Sequence, residues 1–328
     1  MEGFWRNRQV LVTGGCGFIG SHLVEALLAA EAKVRVLGKY NSRSDRGFLT
    51  GNEHPELDVY LGDVADPYLC HTLTEGVDTV FHLAALIGIP YSYDAPAQYV
   101  QTNVSGTVAM LEAARSASVR RFVHTSTSET YGTAQYTPID ENHPLVGQSP
   151  YSATKIAADK LAESYFLSFD LPVATIRPFN TFGPRQSLRA VIPSMMTQAL
   201  YAEEIVVGSL DPIRDMNYVS DTVAGFLGIA SAENTPGGVF NVGSGRSFTI
   251  GDIATMVLEV VGVDLPIRQT DERVRPANSE VGELLANFAK AHEAFGYEPS
   301  VDLRSGLGHV RDYLADHPPA LDPARYRV

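Results

Sequence analysis

A short apolar run, Gln9-Val-Leu-Val-Thr13, stops at Gly14-Gly-Cys-Gly-Phe-Ile-Gly20, and a helical pattern begins at once. In Ser21–Ala30 the apolar residues Leu23, Ala26, Leu27 and Ala30 recur at helical spacing. Glycines at 14, 17 and 20, between a strand and a helix, leave few folds open. Such a turn lets the backbone approach a pyrophosphate closely and brings that charge to the helix N-terminus. Cys16, inside the turn, reads as a small filler and not as a reactive thiol.

The same alternation continues downstream. Runs at Lys33–Leu37, Asp58–Leu61, Val77–Leu83, Arg121–Thr125 and Val173–Arg177 read as strands, with helical stretches between them at about 97–116 and 150–168. The pattern predicts an α/β fold, a doubly wound parallel sheet of Rossmann type covered by helices on both faces. After residue 180 proline, glycine and charge become more frequent, and short strands such as Ile205–Val207 separate the helices. A first domain at 1–180 and a smaller α/β substrate domain at 181–328 are expected. Val239–Val242 reads as a strand returning to the main sheet, so 215–243 would rejoin the first domain and leave the second discontinuous. The tail from about His317 reads as a surface extension.

Composition excludes several classes. A net charge of −13 and a pI near 5.1 argue against nucleic acid or an anionic membrane as partner. No run approaches a membrane span, and the first ten residues lack the apolar segment of a leader. Cys16 and Cys70 have no metal-ligand spacing, so no metal is expected. A cytoplasmic protein is the plain expectation.

The glycine turn implies a dinucleotide, but the choice of NAD or NADP stays open. An acid at the end of the second strand would hold the ribose hydroxyls, and here that position is Gly38. Lys39, Asn41 and Arg43 come next, and the basic pair could meet the extra phosphate of NADP or simply face solvent. Asp63-Val64, after the third strand, suits an adenine. His82-Leu83-Ala84-Ala85, after the fourth, should pass near the cofactor, with His82 itself structural.

Reacting groups stand at Thr127-Ser128-Glu129, just past the Arg121–Thr125 strand, and at Tyr151 and Lys155. Ser149 and Pro150 suit the N-cap and first turn of a helix, on which Tyr151 and Lys155 share one face. Tyr-x-x-x-Lys alone is a weak signal; behind the glycine turn and Thr127 it becomes strong. Lys155 could hold the nicotinamide ribose, and its charge is expected to lower the pKa of Tyr151. Tyr151 would then take an alcohol proton as hydride leaves, with Thr127 orienting the same oxygen.

With these motifs the chain resembles the extended short-chain dehydrogenase/reductases, in particular their nucleotide-sugar-modifying branch. The likeness spans nearly the whole length: GGCGFIGS, GDV at 62–64, HLAA at 82–85, TNVSGT at 102–107, TSTSETYG at 125–132, SPYSATK at 149–155, RPFNTFGPR at 177–185 and RDMNYVSD at 214–221. It implies NAD, with NADP as the alternative, held by Gly14, Gly17, Phe18, Ile19, Gly20, Lys39, Asn41, Arg43, Asp63, Val64, Leu83, Ala84, Ala85, Asn103, Tyr151, Lys155 and Pro178. It also implies a nucleotide-diphosphate sugar between the domains. Asn180, Arg214 and Arg275 fall where family members hold the diphosphate; Arg185 is balanced between that role and an ordinary ion pair. The helices near 97–116 and 150–168 resemble those that join two subunits in a four-helix bundle, so a homodimer is expected.

All branches begin by oxidising the sugar C4 hydroxyl, and the residues after Thr127 distinguish their later steps. Glu129 could remove the C5 proton, acidified by the C4 ketone, with loss of the C6 hydroxyl and return of hydride to C6. The sequence is most similar to 4,6-dehydratases acting on GDP- or UDP-linked sugars, including the N-acetylglucosamine dehydratases of legionaminic acid pathways. The deoxythymidine-diphospho-glucose type has Asp-Glu after the threonine; Ser128 departs from it, leaving open whether Glu129 returns its proton or Ser128 relays through water. Thr-Ser-Glu also occurs in UDP-glucuronate decarboxylases, in which Arg214 would assist carboxylate loss. An epimerase or reductase, or a cofactor-binding regulator without turnover, completes the alternatives.

Overall fold

The computed structural model describes residues 3–270 and 279–319. Arg275, expected at the diphosphate, lies outside the described residues. Strands in chain order are β1 (Gln9–Thr13), β2 (Lys33–Lys39), β3 (Leu57–Gly62), β4 (Thr79–His82), β5 (Arg121–Thr125), β6 (Val173–Pro178), β7 (Asn180–Phe182), β8 (Ile205–Val207), β9 (Ile213–Tyr218), β10 (Val239–Val242), β11 (Ser247–Thr249), β12 (Ile267–Gln269) and β13 (Glu283–Leu284). Seven form one parallel sheet in the order β10-β6-β5-β4-β1-β2-β3. The order reverses between β1 and β4, the switch point at which a doubly wound sheet opens a crevice beyond its strand ends. β1, β4 and β6 are buried along almost their whole length because helices cover both faces.

The helices are α1 (Phe18–Ala29), α2 (Pro67–Thr74), α3 (Ile89–Asp94), α4 (Pro96–Tyr99), α5 (Gly106–Ser116), α6 (Pro150–Phe169), α7 (Val191–Tyr201), α8 (Val219–Ser231), α9 (Ile250–Val261), α10 (Ala289–Phe295) and α11 (Leu303–Asp316). One apolar core sets α1 and α8 against the sheet and takes in Ala291 and Tyr297 from the C-terminal part of the chain. A second lies under α2, α5 and α6. The third gathers α7, α9 and α11 around β8 and β9, beside a small sheet in which β9 pairs with β7, β11 and β13. The helix expected at about 97–116 is α4 and α5 joined through a π-helical segment, Val100–Ser105. Such wide turns accommodate an extra residue and often mark functional positions; this one carries Asn103.

Local chemistry fixes α6, which carries two of the expected reacting groups. The Ser149 side chain accepts from Ser152 N while Ser152 Oγ accepts from Ser149 N, and Pro150 occupies the first turn. Asp170 closes the helix in the left-handed conformation.

A buried carboxylate ties this helix to the sheet. Asp159 accepts from His124 Nε2 at 3.0 Å on β5, from Ser126 Oγ at 2.7 Å, and from Arg177 Nη2 at 2.8 Å on β6. Burial alone would raise its pKa, but the hydrogen bonds and the positive guanidinium outweigh that and hold it down at about 2. A carboxyl depressed below its unfolded value stabilises the fold above that value and stops doing so as pH falls through about 2. Asp159→Ala leaves Arg177 buried without its partner. It should cost about 3–5 kcal/mol in urea unfolding followed by circular dichroism; a loss under about 1 kcal/mol would show the anchor to be unimportant.

Candidate active site

Gly14 has φ +73°, and a Cβ there would lie 2.9 Å from Ala84 N. A Cβ at Gly20 would lie 2.3 Å from the Gly14 carbonyl oxygen. Both positions therefore exclude side chains, because the turn is pressed against the loop after β4 and against its own helix. Gly17, by contrast, is exposed and meets only the Gly14 carbonyl. It caps α1 with no side-chain hydrogen bond, and no acid stands in the first turn. This helix end is open and positive, and the glycine cradle fits the pyrophosphate of a dinucleotide. Phe18 and Ile19, half-buried, begin the helix.

The loop after β4 is held by other expected residues. Ala84 N donates to Thr13 Oγ1 at 3.1 Å. Asn103 accepts from Leu86 N at 2.8 Å and donates to Leu86 O and to Thr154 Oγ1. Its carboxamide, expected to meet the cofactor, is spent on clamping the Leu83–Leu86 backbone to α6 beside Lys155. His82 is fully enclosed between Thr13 Oγ1 and Thr107 Oγ1, and burial pushes its pKa well below the usual value. It remains a neutral tie between strand and helix. Val64 is buried against Gly106, whose Cβ would come within 2.7 Å of it. Pro178 ends β6, buried beside Val242.

The reacting groups converge where β5 meets α6. Thr127, in extended conformation, opens a 3₁₀ turn over Ser128–Tyr131 and accepts from Glu129 N at 3.3 Å. Its hydroxyl hydrogen-bonds the Tyr151 phenol, and the Glu129 carboxylate is near enough to act on that phenol electrostatically. Tyr151 is 6% exposed, packed with Ile89 and Tyr99. Thr127 and Glu129 are half-buried, whereas Ser128 is 2% exposed.

Lys155 differs from its expected effect. Nζ donates to Thr125 O at 2.5 Å, and burial, opposed by the Asp159 charge, brings its pKa down to about 8. The Tyr151 phenol is pushed well above its usual value by burial, with Glu129 adding to the rise and Thr127 opposing it. Burial outweighs any lowering of the kind expected from Lys155, whose ammonium is turned to the carbonyl of β5. The phenol is therefore protonated at neutral pH in this state.

The expected substrate ligands divide. Asn180 Oδ1 is buried without a partner among the described residues, as an acceptor awaiting a ligand would be. Arg214 is nearly buried, donating to Glu280 Oε1 at 2.9 Å and to Ile213 O at 3.0 Å. Arg185, weighed as a diphosphate ligand, instead pairs with Glu25 at 2.8 Å and with Ser21 Oγ, clipping the segment after β7 to α1. Lys39 pairs with Asp63 at 2.5 Å, and Asn41 closes a turn by accepting from Arg43 N and Asp45 N. Sequence reading missed Asp159 and Arg177. The spacing of Asp159, one helical turn beyond Lys155, was the available signal.

No group of acids, histidines and cysteines able to hold a metal occurs among the described residues, and no described helix is long and apolar enough to cross a membrane.

Comparison with known proteins agrees with this geometry. The family described as GDP-mannose 4,6 dehydratase matches residues 11–310. A dTDP-glucose 4,6-dehydratase of Streptomyces antibioticus is 32% identical over 97% of this chain and 96% of its own. UDP-glucuronic acid decarboxylase 6 of Arabidopsis thaliana is 32% identical over 93% and 88%. The structure of a UDP-glucuronic acid 4-epimerase from Bacillus cereus, in complex with UDP-glucuronic acid and NAD, superposes with a TM-score of 0.87 at 28% identity over 94% and 99%. With a match across nearly its whole length and the tyrosine, lysine and glycine turn in place, the chain belongs to the GDP-mannose 4,6-dehydratase family of extended short-chain dehydrogenase/reductases, enzymes that modify nucleotide sugars.

Proposed function

We propose that the protein is a nucleotide-sugar 4,6-dehydratase, converting an NDP-hexose to an NDP-4-keto-6-deoxy-hexose. One observation carries this reading: a carboxylate, Glu129, stands in the same turn as Thr127 and within electrostatic reach of Tyr151. An epimerase needs no such base, because its keto-sugar only turns over between two faces. A bound nicotinamide dinucleotide supplies a cationic hydride acceptor for C4 and the hydride later returned to C6.

The chain's own groups then have distinct tasks. Tyr151 takes the C4 hydroxyl proton, and Thr127 fixes the direction of that oxygen by hydrogen bonding. Lys155, positive at neutral pH and enclosed, holds the ribose and favours the ionised phenol once its ammonium leaves the Thr125 carbonyl. Glu129 removes the C5 proton, and the C5–C6 double bond forms as the C6 hydroxyl departs. A buried serine is a poor acid, so Glu129 gives its proton to the departing oxygen, which leaves as water; when hydride returns to C6, C5 takes up one proton, which balances the one Tyr151 removed from the C4 hydroxyl. Asn180, Arg214 and Arg275 hold the diphosphate; a planar guanidinium suits two phosphate oxygens at once. The enzyme works as a homodimer paired through α5 and α6, a reading supported by the exposure of Leu167 and Phe169 on the outer end of α6.

Glu129→Gln should lower turnover by about 10²–10⁴-fold, the range of a lost general base. C4 oxidation should survive, seen as persistent absorbance of reduced nicotinamide, whereas Tyr151→Phe should abolish both signals. Full turnover by Glu129→Gln would refute the dehydratase reading. Separately, the enclosed Lys155 charge costs stability below a pH of about 8. Between there and the ordinary lysine value the unfolded chain binds a proton that the folded one does not, so the cost fades as pH rises. Lys155→Met should therefore be inactive, yet more stable by about 1–3 kcal/mol near neutral pH. Thermal unfolding at two pH values, with the gain shrinking in alkali, checks this.

A further inference from the structure

We infer that Asp159 is a positioning residue for catalysis: it fixes the carbonyl on which the Lys155 ammonium rests, and it is the counter-ion that keeps that ammonium charged. The inference rests on the reading that Lys155 works as a cation beside Tyr151. It goes beyond the anchoring of α6, because it ties the protonation of a reacting group to a carboxylate one helical turn away.

That carboxylate grips β5 on both sides of a single residue. Oδ1 accepts from His124 Nε2 at 3.0 Å, and Oδ2 accepts from Ser126 Oγ at 2.7 Å. Between them stands Thr125, whose carbonyl oxygen accepts from Lys155 Nζ at 2.5 Å. Asp159 therefore holds the strand segment that receives the ammonium. It does so from the helix that also carries Lys155, four residues further along the same face. Asp159 and Lys155 are each 5% exposed, so solvent and salt screen one from the other only weakly.

Charge makes the same connection. On its own helix Lys155 shares a face with Tyr151 and Asp159, and His124 from β5 and His82 from β4 lie within its electrostatic reach. Arg177, from β6, reaches Asp159 at 2.8 Å. Burial keeps both imidazoles neutral and the Tyr151 phenol protonated. Of these groups Lys155 and Arg177 are positive, and Asp159 alone is negative. Burial brings the Lys155 pKa down to about 8, and the Asp159 charge opposes that fall. Without it, two enclosed cations lose their shared counter-ion. A guanidinium does not give up its proton, so the adjustment falls on Lys155. A neutral amine there leaves Tyr151 without the cation that favours its ionised form.

One test needs no substrate. Asp159→Asn keeps the shape of the side chain, and His124 can meet the new amide by moving its proton to Nδ1. Thermal unfolding of the full chain is compared for the wild type, K155M, D159N and D159N/K155M. Near neutral pH, K155M should raise the unfolding temperature by about 1–3 °C more in the D159N background than in the wild type. The folded-state pKa of Lys155 lies below its unfolded value, and losing Asp159 lowers it further. The excess gain therefore belongs to pH below about 8, where the wild-type ammonium stays charged, and should fade above it. Equal gains in the two backgrounds overturn the inference, as does a D159N chain that fails to fold and is not rescued by K155M.

The second test follows kcat/KM against pH with the nucleotide sugar that the wild type converts. The alkaline limb should lie at least about one pH unit lower in D159N, so that activity lost in mild alkali returns in mild acid. Ser126→Ala removes a hydrogen bond but leaves the charge, and should keep the wild-type limb. A D159N chain slowed by the same factor at every pH overturns the inference and leaves Asp159 an anchor alone. Absence of turnover by the wild type would instead defeat the dehydratase reading, and the unfolding comparison still decides the role of Asp159.

Discussion

The Asp159 carboxylate holds together the three elements on which the site depends. Helix α6 brings Tyr151 and Lys155, β5 leads into Thr127 and Glu129, and β6 leads to Asn180. Asp159 reaches all three through Arg177, His124 and Ser126. From Arg177 the network continues to the Tyr131 hydroxyl at 3.0 Å and from there to Asn241 Oδ1 at 2.8 Å on β10. A buried ion pair is not by itself stabilising, because desolvation consumes much of the attraction. Its value here is geometric. Removing either charge strands the other, so α6 has only one low-energy position on the sheet.

Above that anchor the molecule tolerates groups that a core would avoid. Lys155 is enclosed with its ammonium on a strand carbonyl. Thr125 Oγ1, His124 Nδ1 and Asn180 Oδ1 are buried without partners among the described residues. Each costs free energy while unpaired, as do Trp5 Nε1, Arg35 Nε, Gln186 Oε1 and Thr197 Oγ1 elsewhere in the fold.

The sequence made the fold legible because its decisive signals are local. The strand–glycine–helix turn, the alternating runs and the Ser149-Pro150 helix start each act over a few residues, and their order implies the parallel sheet. Val239–Val242 was legible as a strand of the main sheet and pairs with β6. Thr127, Glu129, Tyr151 and Lys155 could be grouped once β5 and α6 were taken as neighbours. What depends on distant pairing was hidden. Nothing near Arg185 announces Glu25, 160 residues earlier, and nothing near Asn103 shows that its carboxamide clamps Leu86. The direction of the Tyr151 shift also escaped, because burial of the phenol sets it, and that burial is not written in the Tyr-x-x-x-Lys spacing. The glycine at 38 was visible as a missing acid; that Cys16 fills the space could be seen only in three dimensions.

In the proposed reading, the Glu129 carboxylate beside Thr127 and Tyr151 makes elimination the outcome of C4 oxidation. Mass spectrometry of products from UDP-, GDP- and dTDP-hexoses, N-acetylated and not, and from UDP-glucuronic acid, tests that claim most directly. A product lighter than its substrate by one water, with no net change in the cofactor, is the result this account requires. A product lighter by carbon dioxide from a uronic acid, or an isomer of unchanged mass, would contradict it.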